Sequence, residues 1–280
     1  MIAPAYRWLE SAAVKILALG DRDPAFVTHR ELDAAFELMP VGVECSWTGT
    51  DTPQARDLES ADGVWLLPGT PYRDDAAAYA AIEYCRRSGT PFLGTCGGFQ
   101  YACVGLARSL AGMEGAAHAE SDPDAGQLVI VPLRCSLYGE RRQVEPVPGT
   151  LLARICGDQP FAGFHWCGYG LDPGGEAQLQ AAGVVLSARA QDAGAEAIEL
   201  AGHPFFVATA FQPQVGSSES GTLHPLITAL LTAASIRRLA DTRLRGRWRI
   251  RTGPLARQEV QLRVRAGPSG SSARLRTSLQ

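Results

Sequence analysis

The stretch PFLGTCGGFQ, residues 91–100, joins an apolar run to a helical pattern through a cysteine that stands between glycines. The run PFLGT is typical of a buried strand, and from Gly97 onward Phe99, Cys103 and Leu106 recur at the spacing of one helix face. A strand that turns directly into a helix is the repeating unit of an α/β fold. The stretch therefore predicts such a turn at Cys96.

The segments around this turn continue the alternation of strands and helices. Strands are predicted at 14–20, 41–47 and 63–69, and helices at 29–39 and 76–89. This spacing predicts an α/β fold with a doubly wound, mostly parallel sheet flanked by helices. Three later strands, QLVIVPL (127–133), GVVLSARA (183–190) and FFVATAF (205–211), are expected to extend or cap the same sheet, and residues 224–240 to form a closing helix.

Composition bounds the chain further. Residues 1–13 are interpreted as an N-terminal extension, 14–235 as the folded domain and 236–280 as an arginine-rich tail, disordered beyond the closing helix. Residues 237–280 contain twelve arginines and two acidic residues. We interpret this stretch as a solvated extension rather than a nucleic-acid surface.

The cysteines and the apolar runs indicate a compartment and exclude some classes of site. Seven cysteines without a C-x-x-C pair favour a reducing compartment and disfavour a structural zinc site, so no metal or cofactor is predicted. No apolar run approaches the roughly 20 residues of a membrane span, and the first residues lack the order of a secretory signal. A cytoplasmic, membrane-free protein is expected.

The arrangement Gly94-x-Cys96-x-Gly98 matches the general form of a nucleophile elbow. The cysteine would stand at the apex of a strained turn, with glycines where the neighbouring backbone passes closely. The N-terminus of the following helix would favour the thiolate, and the N–H of Gly97 would point toward a developing oxyanion. The alternative, a buried structural cysteine in a glycine-rich turn, stays open at this point.

A longer segment carries a family resemblance. DGVWLLPGTPYRDD (62–75), the elbow, and the segments GVVLSARAQDAGAEAIEL and HPFFVATAFQPQV resemble, in order and spacing, the class I glutamine amidotransferase domain of CTP synthase. The resemblance covers roughly residues 14–235. It implies a flavodoxin-like sandwich and a Cys–His–Glu triad that hydrolyses glutamine through a thioester. It also implies that Gly69 and Gly97 line the oxyanion hole, that Glu120 holds the substrate's amino group, and that Tyr169 matches a tyrosine of the family. Gln100 and Cys167 are further candidate substrate-binding residues.

The sequence departs from this family at the end of the last active-site strand. The family carries F-H-P-E there, whereas this chain has Phe211-Gln212-Pro213-Gln214. Gln212 and Gln214 would therefore replace the catalytic histidine and glutamate. A carboxamide cannot accept a proton near neutral pH, so the usual general base is missing.

The segment FHWCGYGLD (164–172) departs as well, because Gly168 stands where the family has a substrate-gripping arginine. His165 is the candidate base, and the alternative is a histidine satisfied within the fold. Cys167 offers a second thiol, either for redox or sulfur-transfer chemistry or as an ordinary buried cysteine. His118, two residues before Glu120, is interpreted as a surface-loop residue, and the alternative is a histidine that reaches the pocket.

Three functions follow as hypotheses. The first is an enzyme in which Cys96 attacks a small-molecule amide or amino-acid-like substrate. The second is a non-catalytic, ligand-binding or regulatory pseudo-glutaminase. The third is the glutaminase-like partner of a separate synthetase chain. The sequence has no G-x-x-x-x-G-K-[ST] motif and only one lysine, Lys15, so the chain is not expected to make CTP by itself.

Overall fold

The computed structural model describes residues 13–52, 55–191 and 194–247, with the side chains of 243–247 excepted. Its strands are β1 (Val14–Leu19), β2 (Val43–Thr48), β3 (Gly63–Leu66), β4 (Phe92–Thr95), β5 (Ala116–His118), β6 (Gln127–Pro132), β7 (Glu140–Pro146), β8 (Phe161–His165), β9 (Tyr169–Leu171), β10 (Val184–Ala190), β11 (Gly194–Leu200) and β12 (Phe206–Thr209). Its helices are α1 (Val27–Glu37), α2 (Ala55–Ser60), α3 (Asp75–Ser88), α4 (Gly97–Ser109), α5 (Leu151–Cys156), α6 (Pro173–Ala181), α7 (Ser217–Ser220) and α8 (Pro225–Arg247).

Nine strands form the larger sheet in the order β2-β1-β3-β4-β12-β11-β10-β7-β8. The five strands from β2 to β12 pair in parallel, and those from β11 to β8 are antiparallel. Strands β3, β4 and β12 are buried at every position, as expected where helices cover both faces of a parallel sheet. Because these strands run in parallel, their carboxyl ends meet at one edge of the sheet, and the loops that follow them lie together there.

Two hydrophobic clusters hold the sheet between its helices. On one face, Phe99 and Tyr101 of α4 pack with Ile82 of α3 against the strands. On the other face, Leu32 of α1 and Leu230 of α8 pack against β1, β3 and β4. The elbow helix α4 is therefore buried along most of its length, which fixes the position of its first residue.

One predicted strand does not join the large sheet. QLVIVPL forms β6 in a separate three-stranded sheet, ordered β5-β6-β9, so the expectation that it extends or caps the main sheet is wrong. The reason is that β6 packs on α4 and α6 and pairs with no strand of the main sheet. It pairs with β9, the strand that follows the 164–168 segment. This small sheet thereby brings Tyr169 next to the elbow helix.

The closing helix runs longer than predicted. Helix α8 ends at Arg247 rather than at residue 240, so the first arginines of the predicted tail are helical. The predicted disordered tail beyond this helix, and the predicted N-terminal extension apart from residue 13, lie outside the described residues. Within the described ranges, no helix is both long enough and apolar enough to cross a membrane.

Candidate active site

Cys96 stands at the apex between β4 and α4, with φ 53° and ψ −105°. Among the described residues other than glycine, it alone has a positive φ. Such a conformation persists only where the surrounding structure enforces it. Here the Cys96 N–H donates to the carbonyl of Thr209 on β12 at 2.8 Å, and the carbonyl of Cys96 accepts from Phe99 N at 3.0 Å. The elbow is thus held from both sides.

The glycines after Cys96 are required by close backbone contacts. A Cβ on Gly98 would lie 2.3 Å from the carbonyl oxygen of Leu66, and one on Gly97 would lie 2.8 Å from the carbonyl oxygen of Gly69. Backbone atoms cannot yield as a flexible side chain would. These contacts seat the loop after β3 against the elbow, so Gly69 and Gly97, the two predicted oxyanion glycines, are neighbours.

Cys96 opens onto a pocket of about 70 Å³, although only 6% of its surface is exposed. One buried water needs about 10–15 Å³, so this pocket can hold a small polar group rather than a large ligand. It is lined by six other residues of the predicted site: Gly69, Gln100, Glu120, Cys167, Tyr169 and Gln212. Six further lining residues were not predicted from the sequence: Phe26, Thr28, Pro68, Thr70, Tyr138 and Trp166.

Gln212 and Gln214 form an ordered pair beside this pocket. The Gln214 side-chain amide donates to the Gln212 side-chain oxygen at 2.7 Å, and both residues are buried. The Gln212 N–H donates to the carbonyl of Phe164 at 2.8 Å. Within the described part of the chain, the side-chain oxygen of Gln214 is buried without a hydrogen-bond partner. The pair is rigid and inert to protons at neutral pH.

Cys167 lies directly against the elbow cysteine. Its thiol hydrogen-bonds Cys96, and Cys96 Sγ lies 3.8 Å from the carbonyl oxygen of Trp166, the preceding residue. The hydrogen bond to Cys96, together with burial and the charge of Cys96, raises the pKa of Cys167 well above its ordinary value. Cys167 therefore stays protonated and serves as a donor to the sulfur of Cys96.

His165 lies outside the pocket lining, behind Cys167. It has no exposed surface, and its Nε2 lies 2.8 Å from Oε2 of Glu196, which is equally buried. Burial lowers the pKa of His165, but the hydrogen bond and charge of Glu196 outweigh burial and raise it overall. The structure thus pairs His165 with Glu196 and does not bring it to the pocket surface, and its role as the base for Cys96 stays a prediction. No local pattern in the sequence indicated Glu196.

His118 is not a surface-loop residue, as had been expected, but a buried support of the pocket wall. Burial lowers its pKa to about 4, so the ring is neutral near pH 7. Its Nδ1 accepts from Glu120 N at 3.1 Å, which leaves Nε2–H to donate to the Gln100 side-chain oxygen at 3.0 Å. Gln100 in turn donates to the carbonyl of Tyr169 at 2.9 Å. Gln100 therefore fixes the wall as well as lining it.

Glu120 is the acidic residue of the pocket lining. Its Oε2 is buried and has no hydrogen-bond partner in the described ranges. Among the described residues that line the pocket, Glu120 is the one with a formal charge. Tyr138 closes the outer side, packing edge-on against Trp166 with ring centroids 5.9 Å apart. Burial, followed by the charge of Glu120, raises the pKa of Tyr138. The pocket is consequently electronegative.

The described residues contain no group of three or more histidine, cysteine, aspartate or glutamate side chains that could hold a metal ion. The chemistry available at this edge of the sheet therefore comes from two thiols, a carboxylate, carboxamides and backbone N–H groups.

Comparison with known proteins places this arrangement in a family. The sequence model of the glutamine amidotransferase class-I family matches residues 32–225. The chain belongs to that family. Its curated relatives include the CTP synthase of Methanopyrus kandleri, 32% identical over 243 residues, which are 79% of this chain and 45% of the relative. The CTP synthase of Rubrobacter xylanophilus is 35% identical over 211 residues, 69% of this chain and 37% of the relative. The chain thus spans less than half the length of these relatives.

A solved structure supports the fold. The glutaminase domain of Trypanosoma brucei CTPS, determined with bound acivicin, matches with a TM-score of 0.70 at 21% identity. The match covers 80% of this chain and 94% of that domain. The predicted flavodoxin-like α/β fold of a class I glutamine amidotransferase is confirmed.

Proposed function

We propose that this amidotransferase domain is a thiol-dependent acyl-transfer enzyme in which Cys96 attacks the carbonyl carbon of a small amide. The single observation that carries the proposal is the strained Cys96 in the lining of the pocket, with Gly97 and Gly98 where backbone of the β3 region passes closely. The thiolate adds to the carbonyl and a thioester forms as the nitrogen leaves with a proton. Water or an amine then releases the acyl group.

The surrounding residues have distinct roles in this proposal. The N–H groups of Gly69 and Gly97 would stabilise the oxyanion. Cys167, whose thiol already donates to the sulfur of Cys96, is the nearest proton donor for the leaving nitrogen. Glu120 would hold an ammonium group of the substrate, because a buried carboxylate oxygen without a partner is unfavourable until a cation binds.

Glutamine is not the expected physiological substrate. In this proposal Gln212 and Gln214 occupy the places of the family's catalytic histidine and glutamate, and the carboxamide pair cannot remove a proton from Cys96. In addition, Gly168 lines the pocket where the resemblance places a carboxylate-binding arginine. We infer a substrate whose carbonyl is more reactive, or whose recognition relies on its ammonium group.

The test is covalent labelling of the full chain, measured by intact mass and peptide mapping. Iodoacetamide is expected to alkylate Cys96, whereas the electrophilic glutamine analogue acivicin is expected to leave it unmodified. Cys96→Ala should lose the iodoacetamide adduct at that peptide and keep the adduct at the exposed Cys135. Labelling of Cys96 by acivicin would show that the site still recognises glutamine.

The second candidate is a non-catalytic ligand-binding protein, and the buried Gln212–Gln214 pair favours it because both side chains are proton-inert. In that case neither reagent labels Cys96, while Cys135 still reacts. A third candidate, a glutaminase-like subunit that delivers nitrogen to a separate synthetase chain, rests on the similarity to CTP synthases. It requires acivicin labelling, since such a subunit would draw its nitrogen from glutamine.

A further inference from the structure

Two thiols share one pocket in this protein. Cys96 and Cys167 both line it, with 6% and 7% of their surfaces exposed, and the Cys167 thiol hydrogen-bonds Cys96. They come from opposite sides of the pocket, Cys96 from the elbow and Cys167 from the segment between β8 and β9. Cys96 Sγ also lies 3.8 Å from the carbonyl oxygen of Trp166, the residue before Cys167, so the two cysteines are neighbours in this pocket.

The other described cysteines offer no such site. Cys85 and Cys103 are fully buried, and burial raises the pKa of each thiol above its ordinary value. Burial also raises the pKa of Cys45 to about 12 and that of Cys156 to about 11. Thiols of this kind are inert because the thiolate is the reactive form.

The environment of Cys167 sets an order of reaction. The largest causes that hold its proton in place are the hydrogen bond to Cys96 and burial, followed by the charge of Cys96. Oxidation of Cys96 to a neutral sulfenic acid removes that charge. Of the charges that remain, that of His165 lowers the pKa of Cys167 and that of Glu196 raises it, so the loss of the Cys96 charge is what makes the Cys167 thiolate easier to form. Cys96 would therefore react first, and Cys167 would respond only afterwards.

We propose that Cys96 and Cys167 are a dithiol site that reduces a hydroperoxide and closes an intramolecular disulfide. The Cys96 thiolate attacks one peroxide oxygen, the O–O bond breaks, hydroxide or alkoxide leaves, and Cys96 becomes a sulfenic acid. Cys167 then attacks the Cys96 sulfur, and its proton joins the departing hydroxide as water while the S–S bond forms. Sulfur is oxidised, and the peroxide is reduced.

This proposal goes beyond acyl transfer and does not rest on it. The disulfide would remove the Cys96 thiolate from the pocket, so an acyl-transfer enzyme would lose activity until a thiol restored it. A ligand-binding protein would instead carry a peroxide-responsive pocket.

The experiment treats the native full chain with one equivalent of hydrogen peroxide and counts its thiols after denaturation. The number of alkylatable cysteines is expected to fall from seven to five, with a Cys96–Cys167 cross-linked peptide. Dithiothreitol should restore all seven. Cys135→Ala, which alters an exposed cysteine, should leave the cross-link unchanged.

The variant Cys167→Ala tests whether Cys167 converts the sulfenic acid on Cys96 into a disulfide. Without the second thiol, a second equivalent of hydrogen peroxide is expected to oxidise the sulfenic acid on Cys96 to the sulfinic acid, with release of water, and dithiothreitol does not reverse this step. Sulfinic Cys96 with unmodified Cys167 in the wild-type chain would overturn the proposal. So would a peptide map that pairs Cys96 with any other cysteine, and neither outcome depends on the folding of the variant.

Discussion

The double substitution Gln212→His with Gln214→Glu is expected to accelerate acylation of Cys96 by about 100-fold or more, the usual contribution of a positioned general base. The carboxamide pair is already hydrogen-bonded at 2.7 Å, and Gln212 lines the same pocket as Cys96. A histidine at 212, held by a carboxylate at 214, would therefore enter a prearranged geometry. The measurement is the rate at which p-nitrophenyl acetate releases nitrophenolate.

Two control variants test the source of the faster acylation. Gln214→Glu alone should give no acceleration, because a carboxylate without the histidine provides no base beside Cys96. Adding Cys96→Ala to the double variant should abolish the gain. If the double variant melts at the parental temperature and acylates at the parental rate, the two glutamines do not occupy the position of a missing base.

The substitution Glu196→Gln is expected to lower the free energy of unfolding by about 3–5 kcal/mol, the cost of leaving a buried charge without its partner. His165 has no exposed surface, and its Nε2 lies 2.8 Å from the Glu196 carboxylate. Removing that carboxylate leaves the imidazolium of His165 buried without a charged partner. Urea unfolding of the wild type and the variant measures the difference.

The stabilisation that the His165–Glu196 pair provides is expected to decrease as the pH rises. The pKa of His165 is raised in the folded chain despite the opposing effect of burial. The stabilisation is therefore fully present below the unfolded pKa of about 6.5 and is lost as pH rises through the raised folded pKa. The difference in unfolding free energy between the wild type and Glu196→Gln should be larger at about pH 6 than at about pH 9.

A matched control is Glu83→Gln, which breaks a surface ion pair with Arg86. This i,i+3 pair on α3 is partly exposed to solvent, so the substitution should lower the unfolding free energy by only about 1 kcal/mol or less. An effect of Glu196→Gln no larger than that of Glu83→Gln would show that the His165–Glu196 pair is not charged in the folded protein.

The sequence predicts those parts of the site whose residues are close together in the chain. The elbow can be predicted because PFLGT, Cys96 and the helix after it are contiguous, although the contacts that require Gly97 and Gly98 come from Gly69 and Leu66, which are distant in the sequence. The family resemblance adds Glu120 and Gln212, whose segments also follow strands or helices at recognisable spacing. Cys96 and Gln212 meet because β4 and β12 are parallel neighbours in the main sheet, whereas Glu120 follows β5 of the small sheet, which packs on α4.

The part that sequence reasoning missed depends on long-range pairing. The strand β11, GAEAIEL, is rich in alanine and glutamate and does not have the composition of a strand. Its glutamates are buried because each serves a distant partner. Glu196 pairs with His165, and Glu199 accepts from the backbone N–H groups of Leu151 and Leu152 at the start of α5. No local periodicity encodes such partners.

The same reason explains the missed pocket wall. Tyr138 lies in a loop before β7 and is half exposed, so its sequence context resembles an ordinary surface residue. It becomes part of the site only because Trp166 packs against it and Gly168 leaves room beside its ring. The prediction for His118 was wrong for a related reason: a polar segment, residues 120–124, follows it closely, but its ring is buried and donates to Gln100.

The reactivity of the Cys96 thiol toward an acyl carbon is the claim on which the proposed function depends. A stopped-flow burst with p-nitrophenyl acetate, followed by peptide mass mapping, measures it on the wild-type chain. We expect one equivalent of nitrophenolate per chain and a single acetyl group on the peptide that contains Cys96. Acetylation confined to the exposed Cys135, with Cys96 unmodified, would contradict the account.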